Sequence, residues 1–468
     1  MPESLTNSLA ATQAWETLLD LPASGPRHVA LASALRAAIR SGRLPTGAAL
    51  PPSRALAPVL GCSRWVVTQA YAQLATEGYV TGRTGSATRV RWSPGAGPAP
   101  PVGEAGPVRP RFDLAPGLPD LRAFPRRQWA DALARAAAGA DLGHLPAAGL
   151  PELRAVLAEY LVRSRGAVAE ASSVVVCGGI RDAVGRLARG LVAAGHREVA
   201  VEDPGWGALR SVVAAAGLRV RPVPVDGDGL RVAELPPGVR VVLCSPAHQF
   251  PTGVVLSPAR RAALIDWARA VDGLVVEDEY DSEFRYDRKP VGCLQGLDPS
   301  RVVLAGSAHK TLAPAVGVGW AVVPARWRTA VEAGAGPPAI DQAAFASFVA
   351  AGRYDRHLHR VRQRYRARRD LLLAALAAGR PGATTQGVSA GLHVVCSWPG
   401  LDETAVAAAA RAAGVDVMTL ADYRVRPGPP GLVLGYGNIS DAAVPGAVAV
   451  LTAVNRLAEG WEPGLSSP

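Results

Sequence analysis

The sequence predicts a protein of two parts, a small winged helix-turn-helix domain followed by a larger α/β domain. Residues 25–92 read as three short helical patterns and then two β-like pieces. Residues 93–111 are dense in proline and glycine and show no hydrophobic period, which is typical of a linker. From residue 112 to 468, helical patterns alternate with short apolar strands, and this alternation indicates a mostly parallel sheet covered by helices.

Composition narrows the class of protein. The 468 residues contain no apolar run long enough to cross a bilayer, and the first residues lack the basic and apolar regions of a secretory signal. The five cysteines are scattered, odd in number and never spaced as CxxC. We therefore expect a cytoplasmic protein with neither a disulfide framework nor a metal site.

The first domain is predicted from its helical periods and breakers. The first helix has apolar residues at helical spacing and ends near Gly42 and Pro45. A second helix is predicted from Ser53, as its N-cap, to Leu60, and a third begins at Ser63. The residues expected to be buried are Leu31, Leu35, Ala38 and Ile39 in the first helix, and Val66, Ala70, Leu74 and Ala75 in the third. Two β-like pieces, 79–82 and 87–90, complete the wing.

Charge in this segment points to a polyanionic partner. Between Arg27 and Trp92 there are nine arginines and one acid, Glu77, a net charge of about +8. A merely basic domain remains an alternative, because arginine is abundant along the whole chain. In a winged helix-turn-helix, the third helix enters the major groove of DNA and the wing lies along the backbone or the minor groove.

The run SGRLPTGAALPPSRALAPVLGCSRWVVTQAYAQLATEGYV resembles the N-terminal domain of the GntR family of bacterial regulators. That resemblance implies DNA contacts from Arg54, Ser63, Arg64 and Gly85. Thr68, which the helical pattern turns toward solvent near the start of the third helix, is a further candidate. A purely structural helical bundle is the alternative. At about 3.1 Å per residue, the 19 residues of the linker could span about 60 Å.

Polar residues follow the predicted strands of the second domain, where ligands of parallel sheets bind. GGI, residues 178–180, opens a helix whose amides suit a phosphate, and Trp206 offers a flat face for a ring. The remaining candidates that follow strands are His248, Gln249, Asp278, Tyr280, Ser307 and Lys310.

Lysine use singles out one of these residues. The chain has two lysines, Lys289 and Lys310, among 50 basic residues. Arginine replaces lysine as a surface charge, but its guanidinium stays protonated and cannot attack a carbonyl as a free amine. A retained lysine is therefore a candidate for Schiff-base chemistry, although chance survival of two lysines is the alternative.

The segments VEDPGWG, SPAHQFPTG, VVEDEYDSEFRYD and GSAHKTLAP resemble fold-type I pyridoxal-phosphate-dependent aminotransferases. Together with the first domain they resemble the MocR/GabR subfamily of GntR regulators. The resemblance implies that Lys310 forms the aldimine, and that pyridoxal 5'-phosphate is the cofactor. It also implies a large part at about 140–325, a small part at about 326–468 and a homodimer. The implied cofactor-binding residues are Gly179, Ile180 and Ser307 at the phosphate, Trp206 on the ring, Asp278 at the pyridine nitrogen, Tyr280 at the phenolic oxygen, and His248.

The sequence departs from the family pattern at several positions. Gly317 stands where the family has a phosphate-binding arginine, for which Arg181 is a possible substitute, and His309 replaces a serine. Ala208 and Val433 occupy positions of arginines that bind a substrate carboxylate. We therefore expect a transcriptional regulator that uses the second domain to sense pyridoxal phosphate or its adduct with an amine. An active aminotransferase with an appended DNA-binding domain is one alternative, and a helix-turn-helix scaffold with a decayed pocket is another.

Overall fold

The computed structural model describes Trp15, 26–82, 87–92, 110–139, Asp141, Gly143, 145–287 and 291–458, with side chains to residue 454. The chain divides into two compact units, residues 1–108 and 109–468, so the division falls inside the predicted linker. Among the described residues, no helix is both long and apolar enough to cross a membrane.

The first unit has the predicted order of three helices and a hairpin. Helix α1 is Arg27–Arg40, α2 is Ser53–Val59 and α3 is Arg64–Thr76. Strands β1 (Val80–Thr81) and β2 (Arg89–Val90) pair antiparallel, and the wing tip at 83–86 lies outside the described residues. Leu31, Leu35, Ala38 and Ile39 of α1 are buried as predicted.

Two details of this unit differ from the sequence prediction. Ser53 is the first residue of α2 rather than its N-cap, which is Pro52. In α3 the buried residues are Val67, Ala70 and Leu74, whereas Val66 is only half-buried and Ala75 is exposed. Residues 67, 70 and 74 follow the i, i+3, i+7 spacing of one helix face, and Ala75 is turned away from Leu74 by one residue step.

The second unit is built on an eight-stranded sheet within the described residues, in the order β4-β11-β10-β9-β8-β5-β6-β7. The pairings from β10 through β6 are parallel, while β11 runs antiparallel to both of its neighbours. The strands are rich in buried valine, and helices cover both faces because neither face is polar. The strands are β4 Val174–Cys177, β5 Glu198–Asp203, β6 Arg219–Asp226, β7 Gly229–Leu230, β8 Val241–Cys244, β9 Leu274–Glu279, β10 Val302–Ser307 and β11 Gly319–Val322.

A smaller four-stranded sheet, in the order β12-β13-β16-β15, follows in the chain. Strand β3 (Phe112–Asp113) begins the unit and pairs with β14 (Val415–Asp416). The remaining strands are β12 Thr384–Gln386, β13 His393–Ser397, β15 Met418–Thr419 and β16 Leu432–Gly435. The helices are α4 Arg126–Gly139, α5 Pro151–Arg165, α6 Ile180–Ala193, α7 Gly207–Ala215, α8 Pro258–Ala270, α9 Arg328–Glu332, α10 Ala339–Ala350, α11 Arg353–Gly379, α12 Glu403–Ala412 and α13 Val444–Ala458.

Candidate functional site

A cavity of about 290 Å³ lies between the carboxyl ends of the large-sheet strands and the small sheet of the second unit. Its position follows from the parallel topology, because strand ends that share a direction leave a crevice at one edge of the sheet. Four residues that the sequence singled out line it: Trp206, Asp278, Tyr280 and Lys310. The other lining residues are Pro116, Gly117, Leu118, Phe250, Asp281, Leu392, His393 and Tyr423.

Lys310 places a primary amine in this cavity. It follows β10 by three residues, and its Nζ donates a hydrogen bond to the carbonyl oxygen of Gly117. Burial lowers the pKa of the Lys310 ammonium, while the negative charges of Asp281 and Asp278 oppose this shift. A lowered pKa makes the neutral, nucleophilic amine more accessible. Lys310 is therefore the candidate for the reactive lysine.

Asp278 is a buried carboxylate with one oxygen left free. Its Oδ2 accepts a 3.4 Å hydrogen bond from the Ser245 hydroxyl, and its Oδ1 has no partner. Burial, with the negative charge of Asp281 added, raises the pKa of the Asp278 carboxyl to about 7. An unpaired acceptor in this setting is costly to the fold, so it calls for a donor from a ligand.

The neighbouring acids show that the lack of a hydrogen-bond partner is specific to Asp278. Within the described residues, no other buried carboxylate oxygen lacks a hydrogen-bond partner. Glu202, Glu277 and Glu279 are all buried, and each one has donors within the protein. These donors are the amide of Ser245 and the Gln249 side chain for Glu202, the amides of Leu294 and Gln295 for Glu277, and Arg165 with Ser282 for Glu279.

Tyr280 and His248 form a pair beside the cavity. The Tyr280 hydroxyl lies 3.0 Å from Nδ1 of His248, and the two rings stack with centroids 6.0 Å apart. The same nitrogen lies 3.0 Å from Oδ1 and 3.1 Å from Oδ2 of Asp281. Tyr280 and Asp281 line the cavity, whereas His248 is behind Tyr280 and does not. His248 can therefore influence a ligand through Tyr280.

His248, Asp281 and His393 could also be considered as metal ligands, since their ligand atoms lie within 4.8 Å of one another. Hydrogen bonds account for their positions without a cation. His393 Nε2 is 3.0 Å from the carbonyl oxygen of Pro251, and His248 bonds Asp281 as described. Burial and the neighbouring His248 lower the pKa of His393 well below its usual value, so this ring is neutral.

Aromatic side chains form the apolar wall of the cavity. Trp206 is the N-cap residue of α7 and is half-buried. Phe250 packs edge-on against both Tyr280 and Tyr423, with ring centroids 5.9 Å and 4.8 Å apart. These rings give a planar aromatic ligand several surfaces on which to pack.

Gly179, Ile180 and Ser307, the residues expected at the phosphate, are not among the residues that line the cavity. Gly319 of β11 pairs with Ser307 on one side and with Cys177 on the other. A Cβ on Gly319 would lie only 2.5 Å from the Cα of Gly179, so a glycine there lets these strand ends approach closely. Gly179 is the N-cap of α6, whose first amides are suited to an anion.

His309, Arg181 and Gly317 surround this helix N-terminus differently from the family pattern. Nε2 of His309 is buried without a partner, and a Cβ on Gly179 would lie 2.7 Å from the His309 ring. Burial, with the charge of Lys310 added, lowers the pKa of His309. Arg181 is exposed, and Gly317 adopts a left-handed conformation with φ of 64°.

The positions expected to carry substrate-binding arginines are apolar in the structure. Val433 is fully buried in a cluster with Val395, Leu420 and Tyr423. Ala208 lies in the first turn of α7. No arginine is among the described residues that line the cavity, and Lys310 is its only basic side chain apart from the neutral His393.

The candidate DNA-binding residues of the first unit lie on its surface. Arg54, Ser63, Arg64 and Thr68 are all exposed, and Gly85 falls outside the described residues. Ser63 caps α3 by accepting a hydrogen bond from the amide of Val66, as the helix start predicted. Arg64 Nε donates to the Ser53 hydroxyl at 3.4 Å, and the Thr68 hydroxyl donates to the carbonyl of Arg64.

Sequence reasoning missed much of the cavity wall. Asp281 and Phe250 lie within motif segments already noted, EDEYDSEF and HQFPTG, but were not chosen. Tyr423 and Gly117 had no local signal, because only the tertiary fold brings them to the sheet edge.

The residues present fit a pyridoxal phosphate cofactor on three structural grounds. The free Asp278 Oδ1 suits a protonated ring nitrogen, the Lys310 amine suits an aldehyde, and the aromatic wall suits a ring. The phosphate would lie at the N-terminus of α6, where Gly179 lies close to Gly319.

Each of the two units matches a known protein family. Residues 112–440 match the family model "Aminotransferase class I and II", and residues 28–90 match "Bacterial regulatory proteins, gntR family". The chain is 33% identical to the HTH-type pyridoxine biosynthesis transcriptional regulator PdxR of Corynebacterium glutamicum, over 90% of this chain and 95% of the relative. It is also 33% identical to the probable rhizopine catabolism regulatory protein MocR of Rhizobium meliloti, over 90% of this chain and 92% of the relative.

Solved structures similar to this chain include an archaeal alanine:glyoxylate aminotransferase, with a TM-score of 0.69 and 25% identity over 74% of this chain and 91% of that one. A single mutant of the Thermus thermophilus aspartate aminotransferase has a TM-score of 0.66 and 25% identity, over 74% of this chain and 92% of that one. The second unit therefore has the fold-type I aminotransferase fold and binds pyridoxal phosphate, and the first is a DNA-binding domain. The chain belongs to the MocR-type transcriptional regulators of the GntR family, in which a winged helix-turn-helix precedes an aminotransferase-like domain.

Proposed function

We propose that this regulator senses pyridoxal phosphate, or its adduct with an amine, in the cavity around Lys310, and that this controls binding of promoter DNA by the first unit. The observation that carries the proposal is the free, buried Oδ1 of Asp278 in the cavity that also holds the Lys310 amine. The cofactor would supply an aldehyde and an electron-accepting ring. Lys310 would hold it covalently, Asp278 would pair with its ring nitrogen, and Trp206 would pack on its ring.

The remaining contacts follow from the same placement. Tyr280, backed by His248, would donate to the phenolic oxygen of the cofactor. Gly179, Ile180 and Ser307 would bind its phosphate through two amides and a hydroxyl. Arg54, Ser63, Arg64, Thr68 and Gly85 would contact DNA. We further propose that the regulator acts in the cytoplasm as a homodimer.

Charge in the cavity favours an effector without an α-carboxylate. Asp278 and Asp281 already place two carboxylates on its wall, and Lys310 is the one cation among its described lining residues. The carboxylate of an amino acid would meet like charge there without a partner guanidinium. Pyridoxal phosphate itself, or a simple amine joined to it, is therefore the favoured effector. A relative named as a regulator of pyridoxine biosynthesis supports this choice.

Absorbance and gel-shift measurements test the proposal together. The purified protein with added pyridoxal phosphate should show a visible absorbance band that Lys310→Ala abolishes and Lys289→Ala retains. DNA flanking the gene should be shifted in a salt-sensitive manner, and the cofactor should change the affinity of the wild type but not of Lys310→Ala. A protein that stays colourless, or whose DNA affinity ignores the cofactor, would contradict the sensor.

A working aminotransferase is the second candidate. The combination of Lys310, Asp278 and Tyr280 in one cavity favours it, because these groups suffice for the chemistry of the cofactor. Sustained conversion of an amino donor and a keto acid, lost in Lys310→Ala, would establish turnover. Transfer of at most one amino group per protein molecule, without further turnover, would support the sensor.

A further inference from the structure

Two buried side chains, Asp281 and His248, and the half-buried Tyr280 meet at one nitrogen, Nδ1 of His248, beside the cavity. Asp281 is 1% exposed and His248 is 4% exposed, and each oxygen of the Asp281 carboxylate is about as close to His248 Nδ1 as the Tyr280 hydroxyl is. Gly391, with φ of 72°, closes over the pair, since a Cβ there would overlap both His248 and Asp281. The ring and the carboxylate are therefore held together by packing as well as by hydrogen bonding.

The hydrogen positions follow from the capacity of each group. An ionised carboxylate can only accept, so Nδ1 of His248 must carry the hydrogen that it shares with Asp281. The Tyr280 oxygen lies 3.0 Å from that same nitrogen and must accept from it too. A phenol that accepts along this direction cannot also donate along it, so its own hydrogen turns elsewhere. No other hydrogen bond engages Tyr280 within the described residues, and the residue lines the cavity.

We infer that Asp281, through the tautomer of His248, fixes the Tyr280 hydroxyl as a hydrogen-bond donor directed into the cavity toward an anionic or accepting oxygen of the ligand. His248 and Asp281 are then positioning residues, and Tyr280 is the one that touches the ligand. The inference depends on the proposed placement of pyridoxal phosphate, whose phenolic oxygen is the acceptor beside Lys310.

The opposite hydrogen arrangement shows what Asp281 contributes. If Nδ1 of His248 carried no hydrogen, its lone pair would face the Asp281 carboxylate at 3.0 Å. The Tyr280 hydroxyl could then donate its hydrogen to Nδ1 instead of to the ligand. Replacing Asp281 by asparagine permits this arrangement, since an amide can donate to Nδ1. The charged or titratable groups that surround the Tyr280 hydroxyl are Asp281, Asp278, Glu202, Tyr436, His248, Lys310 and His393.

A double-mutant cycle tests the inference in the full-length protein loaded with pyridoxal phosphate. The pH titration of the visible band of the bound cofactor is measured for wild type, Asp281→Asn, Tyr280→Phe and the double variant. A donor to the phenolic oxygen stabilises the deprotonated cofactor, so losing it raises the titration midpoint. We expect Asp281→Asn to raise the proton affinity of the bound cofactor about tenfold more in the wild-type background than in the Tyr280→Phe background.

The alternatives give different results. Removal of a nearby negative charge alone lowers the titration midpoint, and by the same amount whether or not Tyr280 is present. Equal effects of Asp281→Asn in both backgrounds would overturn the inference. Glu202→Gln removes another buried carboxyl, one that has no hydrogen bond to Tyr280 or His248, and as a control it should show no coupling with Tyr280→Phe. A wild type without any visible band would instead contradict the proposed function.

A measurement on the wild type covers the case in which Asp281→Asn fails to fold. In protein labelled with ¹⁵N-histidine, a two-dimensional ¹⁵N–¹H spectrum reports the tautomer of each ring, and His248→Gln assigns the signal. A hydrogen on Nδ1 of His248 is expected. A neutral ring with its hydrogen on Nε2 would overturn the inference.

Discussion

Asp278→Asn should stabilise the cofactor-free protein while it weakens binding of pyridoxal phosphate. Burial raises the pKa of the Asp278 carboxyl from 3.8 to about 7 in the folded protein. A carboxyl whose folded pKa is raised gives its full stability at low pH, and that stability is lost as the pH rises from the unfolded to the folded pKa. A shift of about 3 units corresponds to at most about 4 kcal/mol, of which about 2.5 kcal/mol falls between about pH 5 and about pH 8.

Urea unfolding, followed by tryptophan fluorescence at these two pH values, measures the effect. Asparagine remains neutral, so the free energy of unfolding of the variant should exceed that of the wild type by more at about pH 8 than at about pH 5. Asp298→Asn is the control of opposite sign. Burial raises the pKa of Asp298, but hydrogen bonds from Ser300 and Arg269 outweigh it and lower that pKa overall. Loss of the Asp298 carboxylate in Asp298→Asn should therefore destabilise the protein at both pH values.

Repeating the measurement with pyridoxal phosphate bound tests whether Asp278 pairs with the ring nitrogen of the cofactor. A protonated ring nitrogen next to Asp278 would compensate its charge, so the pH-dependent penalty of the wild type should shrink on loading. A difference between wild type and Asp278→Asn that does not depend on pH would show that the carboxylate is already compensated without a ligand. A penalty that persists in the loaded wild type would place the ring nitrogen elsewhere.

Three further substitutions test other parts of the structure. In gel-shift titrations, Arg64→Ala should lower DNA affinity about tenfold and reduce the salt dependence of binding by about one counterion. Arg36→Ala removes an arginine that is paired with Glu77, and it should change the affinity and the salt dependence less. Arg165→Met should cost about 3–5 kcal/mol in urea unfolding because it leaves the buried Glu279 carboxylate without its cation. Arg163→Met on the same helix breaks an exposed pair and should cost at most about 1 kcal/mol. Gly317→Ala should cost about 1 kcal/mol through its left-handed backbone alone, since nothing lies within 4 Å of the added Cβ.

The sequence alone placed two of the candidate site residues at the ends of predicted strands. Asp278 and Lys310 follow apolar runs that became adjacent parallel strands, β9 and β10, so their convergence follows from topology. The helical period likewise predicted the buried face of α1. In α3 it selected Val66 instead of Val67, because both are apolar and only packing decides which one faces the core, and it also included the exposed Ala75.

The sequence could not predict the hydrogen-bond line behind Tyr280. His248 and Asp281 are 33 residues apart, and their relation depends on a distance of 3.0 Å that no periodicity encodes. The same holds for Gly117 and Tyr423, which reach the cavity from segments about 200 and 100 residues away from Lys310 in the chain.

Gly317 shows how the structure changes the meaning of a sequence difference. Comparison of motifs presents it as a missing arginine, a side chain that could be restored. The structure shows a turn with φ of 64°, which a side chain adopts only at a cost of about 1 kcal/mol or more. Gly317→Arg therefore combines an added charge with backbone strain, and Gly317→Ala, which has the strain alone, is the reference against which any gain in cofactor affinity has to be measured.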